Sequence, residues 1–244
     1  MSDPVQLFHT CLVNEIGPEV GMAAVRLLER LGHPVGVPLD QTCCGQPAYN
    51  AGFHDEARSA ARHMLRVLSA TEGVIVIPSG SCADMLVHQY ELLFRDEAEW
   101  REKAHAIAGR CRELSQLLAE EWPRMPAGAR LRARVAYHPS CHLLRGLGVR
   151  DAPLELLRAV EGVTLAEVED QEECCGFGGL FSVKQPEISG RMLERKLAAV
   201  AASGADRLVS CDLGCLMHLA GGLRRQGVGL AVQHLAELLD EALP

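Results

Sequence analysis

A chain of 244 residues, 48% hydrophobic and 23% charged, is long enough to bury a full core and to divide into two small domains. Its net charge of −8 argues against the basic face by which proteins grip nucleic acid, and no apolar run reaches the roughly 18 residues of a membrane helix. The opening Met1-Ser2-Asp3-Pro4 lacks the basic start of a signal peptide, so a cytoplasmic location is expected, where ten cysteines read as metal ligands or redox groups before disulfides.

In chain order, Leu7 to Thr10 reads as a short strand running into Cys11. Val20, Ala24, Leu27, Leu28 and Leu31 then recur at helical spacing, with Gly32 as the C-terminal stop. A second strand region precedes the turn Cys43-Cys44-Gly45. Ala57, Ala61, Met64, Leu65 and Leu68 form the apolar face of another helix, which leads into a strand at Val74–Ile77 and on to Cys82. Cys111 has no counterpart elsewhere and reads as a core or helix-surface residue. From Trp122 to Ala129 two prolines and a glycine break the periodicity, and a domain boundary is expected there, between residues 1–126 and 127–244. The arginines from Arg124 to Arg134 read as a solvated linker.

The second half repeats the first. Val135 to Tyr137 is the strand. Asp151 caps a helix with Pro153 in its first turn, Leu156, Leu157 and Val160 on its apolar face and Gly162 at its end. Met192, Leu193, Leu197 and Val200 mark a later helix, followed by a strand at Leu208–Ser210. Cys11, Cys43, Cys44 and Cys82 recur 130, 131, 131 and 133 positions later as Cys141, Cys174, Cys175 and Cys215, and Gly32 and Gly73 recur as Gly162 and Gly204. Chance does not hold register across half a protein. The expected fold is α/β, with two Rossmann-like parallel-sheet domains related by an internal pseudo-twofold repeat. The cysteines then fall at the carboxyl ends of strands, where open α/β sheets bind cofactors, and helices starting after Cys82 and Cys215 aim backbone N–H groups at an anionic centre.

Two adjacent cysteines diverge, so they converge poorly on one tetrahedral zinc, whose ligands are usually two to four residues apart. A cluster of several irons offers each its own atom, and a glycine directly after each doublet allows close backbone approach. Iron–sulfur is therefore favoured over a zinc staple or plain buried thiols. Cys11, Cys43, Cys44 and Cys82 would form one site, and Cys141, Cys174, Cys175 and Cys215 the other. His138, His142 and His218 stand near cysteines as candidates for hydrogen bonds to sulfur or for proton relay, with ordinary burial as the alternative. Arg145 and Lys184 are candidate carboxylate binders that surface exposure explains as well. Gly176-Phe177-Gly178-Gly179 lacks the third glycine of a dinucleotide turn and reads as a loop beside the cluster, so a hydride carrier would have to sit on another subunit.

The strings Thr10-Cys11-Leu12-Val13, Gln41-Thr42-Cys43-Cys44-Gly45-Gln46-Pro47-Ala48-Tyr49-Asn50, Pro78-Ser79-Gly80-Ser81-Cys82, Cys174-Cys175-Gly176-Phe177-Gly178-Gly179, Phe181-Ser182-Val183-Lys184 and Gly214-Cys215-Leu216-Met217-His218 resemble the cysteine-rich, or Cys-Cys-Gly, domain proteins over essentially the whole chain. That family includes the cysteine-rich component of heterodisulfide reductase and the iron–sulfur subunit of glycolate oxidase, and the resemblance is strongest to its lactate-utilization branch. It implies a non-flavin subunit, holding one or two clusters of 4Fe-4S type, in a cytoplasmic complex that oxidises L-lactate, a 2-hydroxy acid, to pyruvate. The implied partners are an iron–sulfur ferredoxin-like protein and a third subunit. A disulfide-reducing enzyme is the alternative. In the family's terminal Cys-x-x-Cys the first position is here Ser79 in one half and Asp212 in the other. Cys211, beside Asp212, is the candidate replacement ligand, although a residue at a strand end equally suits burial.

Overall fold

The computed structural model describes residues 4–122 and 126–244. It contains two four-stranded, all-parallel sheets, flanked by helices. The first comprises β1 (Val5–Leu7), β2 (Val35–Gly36), β3 (Val74–Ile77) and β4 (Cys111–Glu113), in the order β2-β1-β3-β4. The second comprises β5 (Arg130–Tyr137), β6 (Glu161–Leu165), β7 (Arg207–Ser210) and β8 (Ala231–His234), in the equivalent order β6-β5-β7-β8. The α/β repeat is thus present in topology as well as in sequence. Among the described residues no helix is long and apolar enough to cross a membrane.

Several local expectations are corrected. Strand β1 ends at Leu7, because Thr10 turns to φ 60° and caps the helix Cys11–Glu15. Gly162, at φ 86°, lies inside β6, and the helix before it already ends at Ala159. Asp151 occupies its cap position without a side-chain hydrogen bond. Cys111 belongs to a strand, and β4 and β8 add a fourth strand to each half. The helices at the third strands begin before Cys82 and Cys215, which sit in the first turns of Gly80–Asp84 and Leu213–Arg225. Residues 123–125 of the expected linker, with the arginine at their centre, lie outside the described residues.

The two sheets share a core. Val5, Leu7, Leu27 and Leu28 of the first half join Val135, Tyr137, Leu157 and Leu235 of the second in one buried apolar cluster. Its helices pack reciprocally. Pro18–Arg30 of the first half lies against Leu235–Ala242 of the second, and Leu114–Glu121 lies against Ala152–Ala159. Arg26 pairs with Asp240 at 2.7 Å and Arg30 donates to the Pro244 carbonyl at 2.8 Å along the first contact. Burial of this continuous apolar surface fixes the halves with their cysteine-bearing ends facing one another.

Candidate metal centre

All eight repeated cysteines line one cavity of about 180 Å³ between the halves. The expectation of one site per half becomes two quartets on a shared wall. Local backbone chemistry delivers each of them. A β-branched residue at positive φ is a sterically unfavourable exception, and Thr10 holds that conformation immediately before Cys11 while its hydroxyl accepts from Val13 N at 3.3 Å. Gly45 and Gly176, at φ 85° and 90°, turn the chain after the doublets, and their N–H groups each donate to the first sulfur of the doublet, on Cys43 and Cys174, at 3.4 Å. Tyr90 OH donates to the Cys44 carbonyl at 2.8 Å. On the other side, the buried Lys196 donates to the carbonyls of Asp170 and Gln171, just before the second doublet, at 2.8 and 3.0 Å.

The sulfurs interact. Cys44 and Cys82 Sγ lie 3.3 Å apart, and all ten cysteines are free thiols. Hydrogen bonds from the Cys11 and Cys44 thiols pull Cys43 down to about 3, and those from Cys141 and Cys175 pull Cys174 down to about 2. The donors are pushed the other way: Cys11, Cys44, Cys141 and Cys175 are all raised, in each case first by their bond to the doublet thiolate. In each quartet the first cysteine of the doublet is thus the one most readily deprotonated, and thiolate is the form that ligates metal. Neighbouring sulfurs on separate backbone turns around one hollow suit a multi-atom metal–sulfide group better than a single tetrahedral ion.

The positions that lack the family's further cysteine do a structural job. Asp212 caps its helix by accepting from Gly214 N at 3.2 Å and reaches across to the other half, accepting from Ser81 N at 3.0 Å and Ser79 Oγ at 3.2 Å. Ser79 in turn accepts from Cys82 N at 3.4 Å. Both are buried and both line the cavity. A second bridge joins the halves at Asp84, which accepts from His142 Nδ1 at 2.7 Å and from His88 Nδ1 at 3.0 Å. Burial acts to raise the Asp84 carboxyl, but the two histidines outweigh it and hold it low, and the same contact raises His142. Sequence reading missed Asp84, Tyr90 and Lys196: the partners of Tyr90 and Lys196 lie 46 and 25–26 residues away, and Asp84, although it also meets His88 one helical turn on, joins the halves only through the distant His142.

The remaining candidates separate clearly. Phe177, Gly178 and Gly179 line the cavity. His142 lines it too. His138 is 2% exposed, neither ring nitrogen has a hydrogen-bond partner, and a ring nitrogen lies within 4.8 Å of Cys175 and Cys215 Sγ. Burial and then Lys196 push it down to about 4, so the ring is neutral. His218 is off the cavity wall, beside Ser189 Oγ at 3.4 Å and the Phe177 ring at 5.8 Å. Arg145 donates to the Glu172 carbonyl and Lys184 lies over the Phe53 ring, neither of them on the wall. Cys211 is not brought to the other sulfurs. It is fully buried behind the wall, 3.7 Å from Tyr137 OH, in the core shared by the halves. Cys111 is likewise buried, and burial pushes its thiol up to about 12.

An α/β repeat with paired Cys-Cys-Gly turns on one cavity defines a class, and comparison with known proteins agrees. The family model for the cysteine-rich domain (CCG) matches residues 5–87 and again 135–220. Proteins called lactate utilization protein A are similar over nearly the full length of both chains: 42% identical in Exiguobacterium sp. AT1b, covering 98% of this chain and 98% of that one, and 44% identical in both Geobacillus sp. WCH70 (97% and 98%) and Halalkalibacterium halodurans (97% and 96%). The chain belongs to the cysteine-rich domain family, in the branch of the lactate utilization A proteins.

Proposed function

We propose that this protein is the iron–sulfur subunit of a cytoplasmic complex that oxidises L-lactate to pyruvate. The observation that carries the reading is the convergence of all eight repeated cysteines on one cavity, in a chain similar throughout to lactate utilization A proteins. Cys11, Cys43, Cys44 and Cys82, with Cys141, Cys174, Cys175 and Cys215, would hold one or two clusters of 4Fe-4S type. The halves 1–126 and 127–244 would contribute one quartet each. Such a group supplies one-electron storage and transfer. The chain supplies the cysteine ligands and the positive-φ turns that let backbone N–H groups approach sulfur, and it buries Cys44, Cys82, Cys175 and Cys215 while leaving Cys11, Cys43, Cys141 and Cys174 partly exposed.

Oxidation of lactate to pyruvate releases two electrons and two protons. The chain shows no nucleotide-binding turn to accept a hydride, so substrate chemistry would lie with the partner subunits, an iron–sulfur ferredoxin-like protein and a third protein. Ser79 and Asp212 stand where a disulfide-reducing relative has cysteines, and their commitment to caps and to the seam favours electron transfer over disulfide chemistry. The test measures pyruvate from L-lactate with an artificial acceptor, using the isolated chain and then the complex reconstituted with wild-type or Cys215→Ser protein. Turnover is expected from the wild-type complex alone. Turnover by the isolated chain, or undiminished turnover after Cys215→Ser has stripped the cluster, would refute the proposal.

A further inference from the structure

The two halves are equivalent in backbone but not in what they present to their cysteines. Phe8 N donates to the Val76 carbonyl at 2.9 Å, and His138 N donates to the Val209 carbonyl at 2.8 Å. His138 follows Phe8 by the same 130 positions that separate Cys141 from Cys11, so the two side chains occupy one structural position. In the first half that position is apolar: Phe8 is fully buried in a cluster with Cys44 and Cys82. In the second half it holds an imidazole facing the corresponding pair, Cys175 and Cys215.

Burying an imidazole with neither nitrogen bonded is costly, and buried polar side chains nearly always find a partner. The first half shows that an aromatic hydrocarbon fits there. The three donor atoms, one from each residue, lie within 4.8 Å of one another, close enough for a single metal group to reach all three, although His138 lies behind the residues that line the cavity. Neutral imidazole is a good ligand for iron.

We propose that His138 is a nitrogen ligand to the metal centre held by the C-terminal quartet, beside Cys175 and Cys215. This rests on the iron–sulfur reading given above. The N-terminal quartet, with Phe8, has sulfur ligands only. Imidazole adds a neutral nitrogen donor to the same number of cysteines that the N-terminal quartet has, so the two sides would differ in donor type and in their surroundings rather than in thiolate count. The repeat thereby gains a chemical difference between its halves that eight identical cysteines would not give it.

The test uses full-length protein purified without oxygen, unlabelled and with 15N-histidine. Iron and sulfide are counted, and the sample is poised one electron away from its even-electron state so that it is paramagnetic. Pulsed electron paramagnetic resonance then reads nitrogen coupling. The expected result is the strong coupling of a directly bound imidazole nitrogen, scaling with the isotope, retained in His142→Leu and lost in His138→Phe, which installs the first half's own side chain. His138→Gln provides a second loss variant should the phenylalanine disturb folding. Iron and sulfide without directly bound nitrogen would overturn His138 as a ligand and leave the cluster reading intact. Strong coupling that survives both His138 variants would overturn it too, by assigning the nitrogen elsewhere. Absence of iron and sulfide from the wild type would remove the cluster reading and this proposal with it.

Discussion

Replacing Asp212 with alanine tests whether the seam between the halves rests on this carboxylate. The side chain is 5% exposed and accepts three hydrogen bonds, from Gly214 N, Ser81 N and Ser79 Oγ. Losing a helix cap costs about 1 kcal/mol, and a buried N–H left without a partner costs about 1–3 kcal/mol. The cap at Gly214 and the cross-seam bond at Ser81 together come to about 2–4 kcal/mol, while the Ser79 hydroxyl can rotate to its neighbour Ser81 Oγ, 3.2 Å away. For a chain of this size that lowers the melting temperature by about 4–16 °C. Asp212→Asn keeps an acceptor oxygen and should cost only about 1 kcal/mol. The assay is urea denaturation of anaerobic protein followed by circular dichroism, with Ser79→Ala and the double variant completing a cycle. A coupling of about 1 kcal/mol between the two positions is expected. An Asp212→Ala cost below about 0.5 kcal/mol, or strict additivity with Ser79→Ala, would refute the reasoning.

Cys211→Ala and Cys111→Ala should retain the full iron content of the wild type while losing some stability, because both thiols are buried in apolar surroundings away from the cavity; metal analysis beside a denaturation curve checks this. Gly176→Ala should destabilise by about 1–3 kcal/mol, since φ is 90° and the new Cβ would lie 2.7 Å from the Ser189 carbonyl oxygen; Gly45→Ala, whose nearest contact would be 3.2 Å, should cost less in the same denaturation assay. At Glu113 burial pushes the carboxyl up to about 7 against the opposing hydrogen bonds from Ser115. A raised carboxyl stabilises the fold fully below its unfolded value near 4.5, and that contribution, on the order of 3 kcal/mol, is lost as pH rises through about 7. Glu113→Gln should remove this component, so the stability difference between wild type and variant, measured from pH 4 to 8, must change in that window.

The repeat was legible because cysteines and glycines carry chemistry that ordinary drift in a hydrophobic pattern does not disguise, and it led directly to paired parallel sheets. Strands β4 and β8 were not legible. Cys111-Arg112-Glu113 and Ala231-Val232-Gln233-His234 are too short and too polar to show alternation, and both lie at sheet edges. The strand expected to run to Thr10 stops early because a threonine at positive φ is a tertiary demand that no propensity predicts. At the site, the eight cysteines were visible one by one, but their merging on a single cavity depends on how the halves pack. The same packing explains Asp212 and Ser79. They read as gaps in a cysteine motif and fold into its cross-brace. His138 was visible as a histidine near a cysteine; its lack of any partner became evident only in three dimensions.

The central claim is that the two cysteine quartets together hold iron–sulfur, and the most direct measurement is iron and acid-labile sulfide in protein purified without oxygen, for the wild type beside Cys44→Ser and Cys175→Ser. The account predicts a brown protein with about four or about eight irons per chain, matched by sulfide, and a loss of both in either variant because the two halves face one cavity. Stoichiometric zinc without sulfide, or a wild-type iron content that neither substitution lowers, would contradict it.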